Sequence, residues 1–214
     1  MKRILAIAAL LGVSALPAFG CNDILGFDER TFDPCVQYCD TIQQTCTQEH
    51  AQYQDQETCL GTCALFEAGD PESPTGNTIA CRMEAVKRAQ TSQALSLECP
   101  AAGPGGFNGN SEQVCGDRCG TYCDLMSTVC AGKSDVASLD TETCLSLCSG
   151  FTDNPAYDPS VGEIKDHDNS VQCRLWHLSV ATGLPDPHCA HADGTTKCDG
   201  VFTSTTSAST STGM

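Results

Sequence analysis

The sequence predicts an all-α protein built as two tandem, disulfide-stapled helical repeats of about three helices each, joined by Pro/Gly-rich loops. Three observations carry this. There are 17 cysteines in 214 residues, while the other apolar residues beyond position 20 make up well under a third of the chain. Small units with thin cores need covalent staples, and staples imply an oxidising compartment. The sixteen cysteines from Cys35 to Cys198 fall into two octets whose first five members are offset by 84 or 85 residues, the mark of a tandem duplication. Within each octet cysteines recur four apart, which sets them on one face of a helix.

The chain opens with Lys2 and Arg3, an apolar run over 4–16 and then Ala18-Phe19-Gly20. This is the layout of a secretory signal peptide over residues 1–20, too short to cross a bilayer as a mature helix. Ala18-Phe19-Gly20-Cys21 resembles a bacterial lipobox, with Ala18 where Leu is usual. The resemblance implies a diacylglycerol thioether on Cys21, and an anchor of two or three acyl chains is firm. Simple secretion with Cys21 as a thiol is the other reading, since ordinary signal peptidase would cut the same bond. Parity favours lipidation: two octets pair internally and Cys21 is left over, and an odd cysteine in a secreted chain needs an explanation. Residues 21–33 read as a tether. No other run approaches the ~18 apolar residues of a membrane-spanning helix.

Repeat one covers 34–116 and repeat two 117–200. Asp33-Pro34 is an N-cap followed by Pro at the first helical position. Cys35, Cys39, Ile42 and Cys46 then share one helix face, as do Cys119, Cys123, Met126 and Cys130 in the second repeat. Asp55 and Asp140 are placed to cap second helices carrying Cys59, Cys63 and Phe66, or Cys144, Cys148 and Phe151, with Gly150 as a stop. Third helices follow Asn77 and Asn169 and carry Cys81-Arg82 and Cys173-Arg174. Two antiparallel helices would form the rungs Cys35–Cys63, Cys39–Cys59, Cys119–Cys148 and Cys123–Cys144. Cys81 and Cys173 are expected to take Cys46 and Cys130. Cys99–Cys115 and Cys189–Cys198 would each close a loop. Arg82 and Arg174 read as surface ion pairs with the abundant acids. Residues 70–76, 100–109 and 153–162 read as Pro/Gly-rich loops, and 201–214 as a Ser/Thr-rich disordered tail.

A net charge of −16 excludes a nucleic-acid binder, because phosphate recognition needs a basic surface. There is no GxSxG, HExxH or P-loop, and no CxxC or CxxCH, so no hydrolytic, thiol-redox or haem signature is present. A non-enzymatic protein is expected. Zinc held by CxxxC thiolates would need a reducing compartment, against the leader. Asp166-His167-Asp168-Asn169 lacks the Gly and terminal Glu of an EF-hand loop, and Asp168 or Asn169 reads as a third-helix cap. The best chemical lead is histidine. His177, His188 and His191 fall in repeat two, and three imidazoles can ligate zinc or copper. Repeat one has Glu98 and small residues at the matching positions, so the scaffold does not demand histidine there. Drift of surface polar residues is the plainer reading of the difference.

Tyr-Cys-Asp at 38–40 and 122–124, Thr-Cys-Leu-x-x-Cys at 58–63 and 143–148, Asn-Ser-Val-Gln-Cys-Arg-Leu-Trp-His at 169–177 and His-Cys-Ala-His at 188–191 resemble a family of cysteine-rich tandem-repeat lipoproteins of myxobacterial type. The resemblance covers both repeats. In that family the third helix often reads Cys-Arg-Leu-Tyr-His, followed by a Pro/His-Cys-Pro-His element. Repeat two keeps the three histidines, whereas repeat one departs around Glu84, Glu98 and Ala101 or Ala102. The resemblance implies a cell-surface location and no assigned activity. The expected function is an exported, lipid-anchored structural or interaction module of the cell envelope, in the outer membrane or at the cell surface, and otherwise secreted. Its partners would be the membrane, through the anchor, and an envelope or extracellular protein. The alternative is a metal or small-ligand binding protein using the repeat-two histidines.

Overall fold

A computed structural model describes residues 33–154, 170–194 and 198. The expected leader, the Cys21 anchor and all of the tether but Asp33, the 166–169 cap, most of the 153–162 loop and the 201–214 tail lie outside the described residues. Each repeat contributes four α-helices rather than three. Repeat one holds α1 (Pro34–Thr45), α2 (Gln56–Cys63), α3 (Ile79–Ser92) and α4 (Leu95–Ala102). Repeat two holds α5 (Arg118–Val129), α6 (Thr141–Ser149), α7 (Val171–Ala181) and α8 (Pro185–Ala192). No strand occurs among the described residues.

The caps follow the chemistry of their side chains. The Asp33 carboxylate accepts from Cys35 N, and the Asp140 carboxylate from Thr143 N. Asp55 and Thr58 form a reciprocal capping box. The third helices start one residue later than expected, at Thr78 and Ser170, whose hydroxyls accept from Cys81 N and Cys173 N. Asn77 does not cap, because its carboxamide oxygen accepts from Arg82 Nη2 at 2.7 Å. The helix α4 occupies chain expected to begin a loop at Pro100. That proline removes one donor, the one that would serve Ser96 O. Gly109 lies close over this carbonyl, where a Cβ would stand 2.2 Å from the oxygen, and donates to Leu97 O at 3.0 Å.

All sixteen cysteines from Cys35 to Cys198 are in disulfides. The rungs Cys35–Cys63, Cys39–Cys59, Cys119–Cys148 and Cys123–Cys144 form as expected. The other four exchange partners: Cys46–Cys99, Cys81–Cys115, Cys130–Cys189 and Cys173–Cys198. Helix direction is the reason. The C-terminal ends of α1 and α3 meet, with Gln90 Nε2 donating to Thr45 Oγ1 at 3.0 Å. Cys81 stands near the start of α3, roughly 13 Å along the axis from Gln90, and a bridge needs Cα atoms within about 7 Å. The fourth helix runs back along α3, through Arg88–Glu98 at 2.9 Å and Arg82 Nε to Gly103 O at 3.1 Å. This brings Cys99, not Cys81, to the end of α1.

Each repeat builds its own core, around Tyr38, Ile42, Val86 and Ala89 in one and Tyr122, Met126, Leu175 and Leu178 in the other. Phe107 departs from the sequence boundary and packs in the second core. The repeats touch where α2 meets the end of α7. Gly61 is small enough for this approach, since a Cβ there would lie 2.5 Å from Thr182 Oγ1.

The two arginines are not on the surface. Arg82 and Arg174 are both fully buried. Arg82 donates to Gly103 O, Thr78 O, Pro104 O and Asn77 Oδ1, and its guanidinium lies 3.7 Å from the centre of the Phe66 ring. Arg174 lies 4.4 Å over Phe151 and donates to His191 O at 2.9 Å. A guanidinium offers five donors in a rigid fork, so one side chain ties α3 to the carbonyls that leave α4. Beside Arg82, Tyr38 donates to Ala102 O at 2.5 Å and meets Tyr53 Oη at 2.9 Å.

Burial pushes the Tyr53 phenol from 10.0 up to about 12, and burial also holds Tyr38 and Tyr122 well above the ordinary tyrosine value. These groups favour the fold while neutral. Their contribution is complete below the unfolded value near pH 10 and declines as pH rises toward and past about 12. Alkaline titration is expected to show phenolate absorbance from these three tyrosines appearing together with loss of near-ultraviolet circular dichroism. Ionisation near pH 10 with the fold intact would contradict their burial.

Candidate metal centre

The centre is built by α7 and α8, joined through Thr182-Gly183-Leu184. Helical geometry breaks at Asp186. The turn beyond it places His188 and His191 three apart, on one face. That face meets His177 on α7. His177 Nδ1 and His188 Nδ1 stand 2.8 Å apart. Ring centroids are separated by 5.0 Å for His177–His188, 4.8 Å for His177–His191 and 6.2 Å for His188–His191. One ligand atom from each of the three lies within 4.8 Å of the others. The sequence-predicted trio is therefore assembled in one place.

His177 is 1% exposed and His188 6%, with His191 partly exposed. The cluster thus meets solvent chiefly on the His191 side. Burial, followed by the neighbouring His191, draws His188 below the ordinary histidine value. Both effects favour neutral imidazole, the form that ligates metal. Tetrahedral zinc with Zn–N of about 2.0–2.1 Å sets ligand nitrogens roughly 3.3 Å apart. The 2.8 Å contact between His177 and His188 needs to open by about 0.5 Å to accept such an ion.

The frame around the imidazoles is firm. Cys189, between the two α8 histidines, is bonded to Cys130 at the end of α5. Tyr122 Oη donates to Ala192 O at 2.8 Å, and Arg174 Nη1 to His191 O. Trp176 packs edge-on to His177 and His188, at centroid distances of 5.1 and 6.2 Å. Sequence reasoning did not find Trp176, Arg174 or Tyr122 as neighbours of the site. For Arg174 and Trp176 the third-helix stretch Cys-Arg-Leu-Trp-His puts both within one turn of His177, whereas Tyr122 reaches the site from α5 with no such local signal.

Comparison with protein families, with curated proteins and with solved structures gave no match. The duplication supplies a control from within the chain. Aligned on the helices, His177 corresponds to Ala85, His188 to Glu98 and His191 to Ala101. Ala85 and Ala101 are fully buried, and Glu98 pairs with Arg88. The fold closes without histidine at these places.

A second set of metal-ligating groups shares His177. Cys173, one turn earlier on α7, and Cys198 offer sulfurs that lie with a His177 nitrogen within 4.8 Å of one another. The two sulfurs are joined as a disulfide, buried at both ends. The corresponding Cys81–Cys115 bond has Ala85 in place of the imidazole.

Proposed function

We propose that this protein is a non-enzymatic module of the cell envelope or exterior that binds a transition-metal ion, zinc or copper, through His177, His188 and His191. The single observation that carries the reading is the convergence of three imidazoles from two helices in a mostly buried cluster. Repeat one uses alanine and a salt bridge where repeat two uses histidine. A structural or partner-binding module remains the reading drawn from composition. The histidine cluster is what favours metal binding over it.

Eight disulfides suit an extracellular or envelope protein, and no helix among the described residues is long and apolar enough to cross a membrane. The lipid anchor is part of the proposal. Every cysteine from Cys35 to Cys198 is paired, so Cys21 is the odd one in the sequence. Labelled fatty acid is expected to enter the wild-type protein in its native cells and to be absent from the Cys21→Ser variant. Equal labelling of both would remove the anchor.

Isothermal titration of the oxidised protein with zinc and with copper(II) tests the metal reading. One equivalent per chain at micromolar concentration or tighter is expected. The His188→Ala/His191→Ala variant should lose it, while His50→Ala should not. Silence of the wild-type protein at micromolar metal would end the reading.

A further inference from the structure

We propose that the Cys173–Cys198 disulfide is a redox gate on the metal centre: its reduction creates a Cys173/Cys198/His177 site that takes over the ion held by the three histidines. This rests on the histidine reading above. The sequence of contacts is short. His177 belongs to both ligand sets, each with its donor atoms within 4.8 Å. In the oxidised protein the sulfurs are bonded to each other and the set available is three nitrogens. In the reduced protein the set becomes two thiolates and one imidazole, with a fourth position open. Thiolates are the stronger and softer donors for zinc.

The step balances with a dithiol reductant. Thiolate attack by the dithiol cleaves the Cys173–Cys198 bond, two electrons pass to the protein, and the dithiol leaves as its own disulfide. The ion then displaces the two thiol protons. Once reduced, the two sulfurs must stand roughly 3.8 Å apart, as two Zn–S bonds of about 2.3 Å demand.

Position in the fold makes this the bond of repeat two whose opening leaves α5, α6, α7 and α8 fastened to one another. Cys35–Cys63, Cys39–Cys59 and Cys46–Cys99 in repeat one, and their counterparts Cys119–Cys148, Cys123–Cys144 and Cys130–Cys189, fasten helix to helix or to a helix end. Cys173–Cys198 ties a residue beyond α8 back to α7, and α7 and α8 stay joined through Tyr122, Arg174 and Cys130–Cys189. The matching bond in repeat one, Cys81–Cys115, has no imidazole beside it at the Ala85 position, so the molecule carries its own control. By linkage, an ion that binds the reduced form more tightly also favours reduction. Zinc should therefore lower the dithiol concentration needed to open Cys173–Cys198, on the order of tenfold, and leave Cys81–Cys115 unchanged.

The test uses the full exported chain with cobalt(II) as the spectroscopic probe and zinc as the competing ion. Limited dithiol titration is followed by differential alkylation and peptide mapping, so that opening of each disulfide is counted separately. Oxidised protein is expected to bind one cobalt with a nitrogen-ligand spectrum. Opening of Cys173–Cys198 should add thiolate-to-cobalt charge-transfer absorption, keep one ion per chain and raise zinc affinity about tenfold or more. The Cys173→Ser/Cys198→Ser variant should keep the nitrogen spectrum and never show charge transfer. His177→Ala, which copies Ala85 of repeat one and so should fold, is expected to lose both. Opening of Cys173–Cys198 with an unchanged cobalt spectrum would overturn the gate and leave the histidine site standing. Absence of cobalt binding by the oxidised protein would defeat the histidine site itself.

Discussion

Arg82→Ala is expected to destabilise the protein by about 4 kcal/mol, measured by denaturant unfolding with the disulfides intact. The guanidinium is fully buried and serves Gly103 O, Thr78 O, Pro104 O and Asn77 Oδ1. Among the described residues no carboxylate pairs with it. Alanine would take the Arg82 donor from Pro104 O, leave Gly103 O with Gly106 N alone at 3.2 Å, and uncover the face of Phe66. Each buried carbonyl left unsatisfied costs about 1–3 kcal/mol, and the lost stacking adds to that. Arg82→Lys keeps the charge but has three donors on one nitrogen, and it should recover only part of the loss. The nearby surface pair is the contrast. Arg88→Ala breaks a 2.9 Å contact with Glu98 in which the arginine is 38% exposed, and it should cost about 1 kcal/mol or less. Equal effects at Arg82 and Arg88 would mean that the buried fork does not hold α3 to the end of α4.

The second large effect belongs to Cys46–Cys99. It joins residues 53 apart in sequence, against 20 for Cys39–Cys59. Constraint of the unfolded chain by a loop of that length corresponds to about 4 kcal/mol in the entropic account, compared with about 3 kcal/mol for the shorter one. Cys46→Ala/Cys99→Ala should therefore lower stability more than Cys39→Ala/Cys59→Ala, provided both pairs are removed whole so that no free thiol can reshuffle. Non-reducing peptide mapping gives the direct check. A fragment joining Cys46 to Cys99 is expected, and one joining Cys46 to Cys81 would refute the helix directions described above.

The local features were legible because their causes are local. Asp33, Asp55 and Asp140 cap helices by reaching backbone donors two or three residues away, so a short window of sequence contains the whole interaction. The four rungs were legible because cysteines four apart on two facing helices have one antiparallel pairing. Helix α4 was hidden because Pro100 and the glycines from Gly103 to Gly109 carry loop signals, and contacts from elsewhere in the fold offset them: Gly109 docked on its carbonyls, Arg88 on Glu98 and Cys46 bonded to Cys99. The histidine trio was legible from its spacing and from comparison of the two repeats. Its frame was only partly so: Arg174 and Trp176 lie beside His177 in sequence, but their contacts with α8, and that of Tyr122, are made between helices.

The sequence by itself determined the duplication, the cysteine parity, the helical faces of the rung cysteines and the three residue numbers of the candidate metal centre. Each of these is a matter of spacing along one chain. Tertiary structure alone decided which cysteine meets Cys46, because that depends on α1 and α3 ending together and α4 returning along α3. It also decided that Arg82 and Arg174 lie inside. A charged side chain belongs in water unless carbonyls converge to replace it, and that convergence exists only after α4 and α8 have folded back over the third helices.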